Sequence, residues 1–241
     1  MAQDHPASIR HVLQEIDGGR ILDVASGVGQ FSRLLVDCLG SYEQLTGIDT
    51  STKAIEQANA GFSEPNVHFQ VADATTLPFP DSSFDTVALS NSMHHMANLE
   101  AVFCEIRRVL IPRGRLILFE MHSDAPSPAS QNAIDLHLWA AEVDRALGKY
   151  HEPVLSRKQL MLQIDALQLR NRQSIEWCSN DENDDVEGIA QLMKQVLQQV
   201  EGMDKENALA ETARALIERI RSSGMQSQPF VLTVGYLPTN P

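Results

Sequence analysis

Aromatic side chains are scarce, at 5% of the 241 residues, and cysteine is scarcer, at three. Cys38, Cys104 and Cys178 lie far apart and form no C-x-x-C pair, so they read as free thiols of a reducing compartment rather than as a disulfide framework. Their apolar neighbours predict core packing for all three. Basic residues are outnumbered, 19 Lys and Arg against 32 Asp and Glu, which gives a formal charge of −13. Such a field opposes nucleic acid and anionic lipid and leaves a small or cationic partner. Met1–Arg10 holds no apolar leader core, and no apolar run approaches membrane-spanning length, so a cytoplasmic location is the expectation. Internal repeats and low-complexity stretches are missing as well. The acidic cluster Asp181, Glu182, Asp184, Asp185 and Glu187 reads as the charge-complemented start of a helix.

What the chain does have is concentrated in Arg20–Phe31. Ile21 to Val24 is a short apolar run of buried-strand type, and it ends in the small-residue turn Ala25-Ser26-Gly27-Val28-Gly29. The helical pattern Phe31, Leu34, Leu35, Cys38 follows. This is the strand–turn–helix opening of a dinucleotide-type fold. Asp23 puts a carboxylate beside the turn, where it would repel a pyrophosphate and attract an ammonium group. The third glycine of a nicotinamide fingerprint is replaced by Ser32.

The rest of the first half alternates strictly. Strands are predicted at Arg20–Val24, Gln44–Ile48, Val67–Val71, Thr86–Ser90 and Arg115–Phe119. Helices are predicted at Gly29–Leu39, Thr52–Ala60 and Glu100–Leu110, with one more at Pro6–Ile16 ahead of them. Such alternation implies a parallel sheet covered on both faces. After Met121 the regularity breaks. Helical patterns fall at Gln131–Leu147, from a Ser156 cap to about Leu167, at Ile189–Val200 and on to Ile220; strands are expected at Ser174–Cys178 and Phe230–Leu237. The whole reads as one domain, 1–241. Its N-terminal helix (1–18) and helical insert (121–170) are expected to close over the strand ends as a substrate lid. A chain lacking Asp124–Leu169 is expected, if it still folds, to keep cofactor binding and lose transfer.

Asp49 ends the second strand, twenty residues after Gly29, where a carboxylate can accept both ribose hydroxyls. Asp73-Ala74 ends the third, where a carboxylate can accept from an adenine amino group and the next N–H can donate to the ring. Each acid alone could be a helix cap. Three at consecutive strand ends beside a Gly-x-Gly turn point to a ligand.

These residues, with Gly47-Ile48-Asp49, Ala72-Asp73-Ala74, Leu77-Pro78-Phe79-Pro80-Asp81, Ser90-Asn91-Ser92-Met93-His94-His95 and Arg108–Arg115, resemble the class I S-adenosylmethionine-dependent methyltransferases. The resemblance is to the broad methyltransferase type 11 group that includes quinone-biosynthesis enzymes, and it covers roughly Arg20 to Glu120. It implies a Rossmann-like, doubly wound α/β sheet of seven strands in the order 3-2-1-4-5-7-6, the last antiparallel, with helical lid insertions. It implies S-adenosyl-L-methionine as cofactor and S-adenosyl-L-homocysteine as product. Asp23, Ala25, Ser26, Gly27 and Gly29 would hold the methionine part, Asp49 and Thr50 the ribose, Asp73 and Ala74 the adenine. Asn91 would line the methionine side. Ala25 stands where many members have glycine.

Transfer of an activated methyl needs alignment first, and a base only when the nucleophile is protonated. His95, His122 and His151 are the candidate catalytic residues, with His94 beside them. His137 and Asp144, seven apart, share one helix face. A solvated face is their simpler reading, and with no tight ligand motif no metal is expected. The acceptor is expected to be a small molecule, with neither nucleic acid nor membrane as partner. The long C-terminal helices are suited to a homodimer. The competing readings are a sensor that binds the cofactor without transferring methyl and an NAD-dependent oxidoreductase, against which Asp23 and Ser32 count.

Overall fold

The protein is described here from a computed structural model, over residues 7–179 and 185–238. Seven strands, β1 (Arg20–Val24), β2 (Gln44–Asp49), β3 (Val67–Val71), β4 (Phe84–Ser90), β5 (Leu110–Met121), β6 (Arg170–Trp177) and β7 (Phe230–Tyr236), form one sheet in the order β3-β2-β1-β4-β5-β7-β6. The first five strands pair in parallel, and β7 runs antiparallel between β5 and β6. The order and the antiparallel last strand agree with what the family resemblance implied.

The alternation of side chains along each strand builds two cores. Ile21, Leu45, Phe69, Ala88 and Ile117 face one side and pack with α1 (Ala7–Leu13), α2 (Gln30–Cys38) and α3 (Thr52–Gly61). Leu22, Ile48, Val87, Leu116 and Val231 face the other, with α4 (Leu99–Val109) and α6 (Arg157–Ala166). A third cluster joins α5 (Pro128–Ala146), α7 (Val186–Leu197) and α8 (Glu206–Ser223), centred on Trp139, whose indole N–H donates to Leu209 O at 2.9 Å.

Local chemistry sets the ends of these elements. Ser127 caps α5 ahead of Pro128, and Ser156 with Gln159 forms a capping box on α6. Strand β5 starts earlier than its apolar run, at Leu110. The Pro112–Gly114 segment makes a register shift between Phe84 and Thr86 of β4, and Arg113 turns to φ 66°. Gly47 marks a close approach, since an added Cβ would stand 2.3 Å from the Phe69 ring.

The expectation for the cysteines changes. Cys38 is buried, but Cys104 is exposed and Cys178 only half-buried, because Cys104 falls on the outer face of α4. The described part of the N-terminal helix, α1, buries Ile9, Val12 and Leu13 beside α2, and none of its residues lines a cavity described below. The insert is not detachable: Leu160, Ile164 and Leu167 belong to the second core and Trp139 and Val143 to the third, so excising Asp124–Leu169 would open both. In the acidic cluster, Asp185 caps α7 through Gly188 N–H at 2.9 Å, while Asp181, Glu182 and Asp184 lie outside the described residues.

Candidate functional site

Two cavities open at the carboxyl edge of the parallel strands. The larger, about 610 Å³, is framed by Ala25, Gly27, Asp49, Asp73, Asn91 and His95. Thr50 and Ala74 line it as well, so seven of the ten residues expected to hold the cofactor border one space. Its apolar walls are Ile48, Ala72 and Val102. Asp23, Ser26 and Gly29 lie beneath or beside the turn and do not border it.

The β1 turn is shaped by backbone conformation. Ala25, Gly27 and Gly29 all have positive φ (55°, 54° and 87°), and a Cβ on Gly27 would meet nothing within 4 Å, so the space above the turn is open. Ser26 N–H donates to Ile48 O at 2.8 Å, tying the turn to β2. A left-handed conformation costs an alanine ~1–2 kcal/mol that glycine does not bear. Part of this returns as lost chain freedom, so Ala25→Gly should stabilise the protein by ~0.5–1 kcal/mol and raise its midpoint by ~1–4 °C. Differential scanning calorimetry checks this; a lower midpoint would mean that the alanine methyl makes contacts worth more than the strain.

Asp49 braces the same turn. Its Oδ2 accepts the Gly27 N–H at 2.9 Å and its Oδ1 the Ser51 N–H at 2.8 Å. Asp73 accepts both the N–H and the hydroxyl of Thr75 on Oδ1, each at 2.8 Å; these bonds hold its carboxyl below the usual range. Asn91, at φ 47°, accepts Met121 N–H on Oδ1 at 3.1 Å and so locks the end of β4 to β5. Asp23 is 1% exposed: Ser32 Oγ donates to its Oδ2 at 2.5 Å, while Oδ1 has no protein partner. Burial pushes Asp23 up to about 7.

The second cavity, about 510 Å³, shares Met96 and Ala97 with the first. Met93, Leu99, Val154 and Leu160 make it apolar, and Glu120, Gln159 and Gln163 give it polar points. Glu120 is buried, and accepts Ser92 N–H at 3.1 Å; burial pushes it up to about 8 against the pull of the Ser92 and Met93 amides.

Between the cavities stands a histidine cluster. His94 and His95 sit on the single turn Met93–His95 after β4, His137 and Asp144 on α5, and His151 just beyond α5. Ring centroids lie 4.3 Å apart for His94–His95, 4.9 Å for His94–His137 and 4.0 Å for His95–His151. His151 Nδ1 is 3.0 Å from Asp144 Oδ2, and Lys149 Nζ is 2.8 Å from Asp144 Oδ1. Burial opposes ionisation of Asp144, but these two bonds win and hold it below its usual range. Burial drives His94 down to about 2 and His95 and His137 down to about 4; the neighbouring imidazoles add to the effect. His122 stands apart. It is buried, its Nδ1 accepts Asp124 N–H at 3.3 Å, and it borders neither cavity. The helical spacing of His137 and Asp144, with His151 just beyond, pointed to part of this cluster; the addition of His94 and His95 comes from docking α5 against the strand ends.

These shifts set a pH profile of stability. In the unfolded chain the histidines take protons near pH 6.5, which folded His94, His95 and His137 refuse; stability therefore falls as pH drops from about 6.5 towards 4. Asp23 and Glu120 act with the opposite sign, because the folded protein keeps protons that the unfolded carboxylates release, so stability is lost as pH rises from about 4 to 8. These three histidines, with His122 shifted down by burial as well, outweigh the two acids below pH 6.5, and only the acids act above it. The melting midpoint should therefore peak near pH 6–6.5 in a scan from pH 4.5 to 8.5. A midpoint that climbs steadily to pH 8.5 would contradict the buried neutral acids.

Comparison with known proteins bears on this site. Residues 22–118 match a family described as a methyltransferase domain. The chain is similar to a demethylmenaquinone methyltransferase of Thermotoga maritima, 34% identical over 110 residues, covering 46% of this chain and 47% of that protein. It is similar to a 27-O-demethylrifamycin SV methyltransferase of Amycolatopsis mediterranei, 38% identical over 120 residues, 48% of this chain and 43% of that protein. The matched part thus spans less than half the length of either relative. Among solved structures, a phosphoethanolamine N-methyltransferase 2 of Haemonchus contortus in complex with S-adenosyl-L-methionine superposes with a TM-score of 0.54 at 15% identity, over 96% of this chain and 53% of that one. That likeness is one of fold.

Proposed function

We propose that this chain, whose residues 22–118 match a methyltransferase domain, transfers the methyl group of S-adenosyl-L-methionine to a small-molecule acceptor. The observation that carries the reading is the larger cavity. An open Gly27, a carboxylate at the end of β2 and an alanine-walled slot beside Asp73 meet in one space of a size suited to a nucleoside ligand. The donor set fits the group. Asp49 takes the ribose hydroxyls together with Thr50. Asp73 and Ala74 take the adenine edge between Ile48, Ala72 and Val102. The Ala25–Gly29 turn and Asn91 hold the methionine part. Asp23 Oδ1 and Ser26 Oγ are buried behind the turn without protein partners and do not border this cavity.

When bound, the sulfonium supplies an activated methyl and a neutral leaving group. The chain supplies position and dryness. The second cavity receives the acceptor, its apolar walls excluding water from the strand ends. Lys149 and Asp144 border the cofactor cavity, and Tyr150 and Val154 the acceptor cavity, so the insert 121–170 acts as the lid. His95, which borders the larger cavity and which burial keeps neutral at pH 7, is placed to accept a proton from a hydroxyl or amine acceptor, whereas His151 borders neither cavity. His122 is given no part.

Quinone and rifamycin relatives support a small molecule as acceptor, and the negative charge supports the absence of nucleic acid. Among the described residues no helix is long and apolar enough to cross a membrane. Free cysteines support a cytoplasmic location, and Leu192, exposed on α7, supports pairing of two copies there. The test is calorimetric titration with S-adenosylhomocysteine, with NAD as control. Saturable one-to-one binding of the first and none of the second is expected. Binding of NAD alone would make the chemistry hydride transfer and overturn the reading.

A further inference from the structure

We propose that His94, His137 and His151 form a binding site for a divalent ion of the zinc class, a clasp that fastens the helical insert to the ends of the parallel strands. One ring nitrogen from each of the three lies within 4.8 Å of the other two. His151 Nε2 and His137 Nε2 are 3.2 Å apart. A tetrahedral ion with nitrogen ligands at about 2.05 Å has edges of about 3.3 Å, so this pair already stands at the spacing the ion needs.

The bond behind His151 selects its inward nitrogen. His151 Nδ1 meets Asp144 Oδ2 at 3.0 Å, and in the neutral ring that bond fixes the proton on Nδ1 and leaves Nε2 a bare lone pair. A carboxylate behind a histidine is the arrangement that orients metal ligands. His94 is 8% exposed, and its Nε2 is buried with no hydrogen-bond partner in the protein, a cost that an ion would remove. Its Nδ1 lies 3.9 Å from Glu120 Oε2 on the opposite side. The other groups around the site are accounted for. Lys149 is spent on Asp144, and Arg145 donates to the His151 carbonyl at 2.5 Å, so neither cation points at the three lone pairs.

The ligands belong to different parts of the chain. His94 follows β4 in the core sheet, whereas His137 and His151 belong to the insert. Glu152 N–H already donates to His94 O at 2.8 Å, so the two parts are in register without the ion. His95, which borders the larger cavity, stands beside the set and forms a second close triad with Asp144 and His151. Nothing in this argument depends on methyl transfer.

The experiment uses the untagged full chain, stripped with chelator and dialysed. Calorimetric titration with Zn²⁺ should show saturable binding of one equivalent, as a closed set of nitrogen ligands predicts. Co²⁺ should give the intense visible absorption of tetrahedral coordination. Zn²⁺ should raise the melting midpoint of the wild type and leave that of His151→Ala unmoved. His151→Ala and His137→Gln should each lose at least ~100-fold in affinity, and Asp144→Asn ~10–100-fold. His68→Ala, at an exposed strand position, is the control and should bind as wild type. Should one variant fail to fold by circular dichroism, the other two carry the test. Weak binding of several equivalents, or full affinity in the folded cluster variants, would overturn the clasp. Titration of the same stripped protein with S-adenosylhomocysteine separates the two readings, since retained cofactor binding without zinc binding removes the clasp alone.

Discussion

Asp49→Ala should weaken S-adenosylhomocysteine binding by at least ~100-fold, equivalent to ~2.7 kcal/mol, in calorimetric titration. Two hydroxyls accepted by one carboxylate are charge-assisted bonds worth ~1.5–3 kcal/mol each when shielded from water. The loss has a second source. Asp49 also accepts the Gly27 and Ser51 amides, so its removal frees the turn that shapes the cavity floor. Asp49→Asn separates the two. It keeps one acceptor for the turn but brings an N–H₂ to the ribose, and most of the affinity should still be lost while the melting midpoint recovers. Near-normal affinity in Asp49→Ala would place the ribose elsewhere and dissolve the assignment of the whole cavity.

Phe119→Ala should be the most damaging single truncation of the fold. The ring lies at the end of β5, stacked between Phe31 (centroids 5.6 Å, planes 9° apart) and Phe230 (4.7 Å, 13°), with Trp177 beyond at 6.4 Å. It is 8% exposed and joins α2, β5, β7 and β6 in one column. A buried Phe→Ala cavity costs ~3–5 kcal/mol. In a domain of this size that amounts to ~6–20 °C in the melting midpoint, readable by scanning calorimetry. A shift under ~3 °C would mean that the column can collapse around the gap. Cofactor affinity in the surviving folded fraction should stay within a few-fold of wild type, since Phe119 borders neither cavity.

The sheet was legible because its signals are local. Ile21–Val24, Val67–Val71 and the Ser156 cap carry their own periodicity or capping chemistry, and the structure puts elements there within a residue or two. The cofactor cavity was legible for a topological reason: acids that end consecutive parallel strands must share an edge, and Asp49 and Asp73 do. Asp23 shows where that reasoning stops. Its position on the strand was right, but whether its carboxyl meets a ligand or Ser32 depends on how α2 rides over the turn. The role of the N-terminal helix was not readable either, because an amphipathic helix docks equally well on a sheet face or over a strand end. The histidine cluster was legible only in part: the spacing of His137 and Asp144 is local, but their meeting with His94 depends on the packing of α5, which rests on Trp139, Leu209 and Leu216 against α8.

The place of β7 has a consequence for how the chain is made. A ribosome delivers β5 and β6 long before β7, yet the two are not neighbours; each waits for the strand that will lie between them. Until Phe230–Tyr236 emerges, β5 shows an unpaired backbone edge and Phe119 lacks one of its stacking rings. The nascent protein thus holds a finished cofactor half, β1 to β4, beside an open seam that only its final strand can close. A chain that stops short of residue 230 leaves that seam open, with the edge of β5 unpaired.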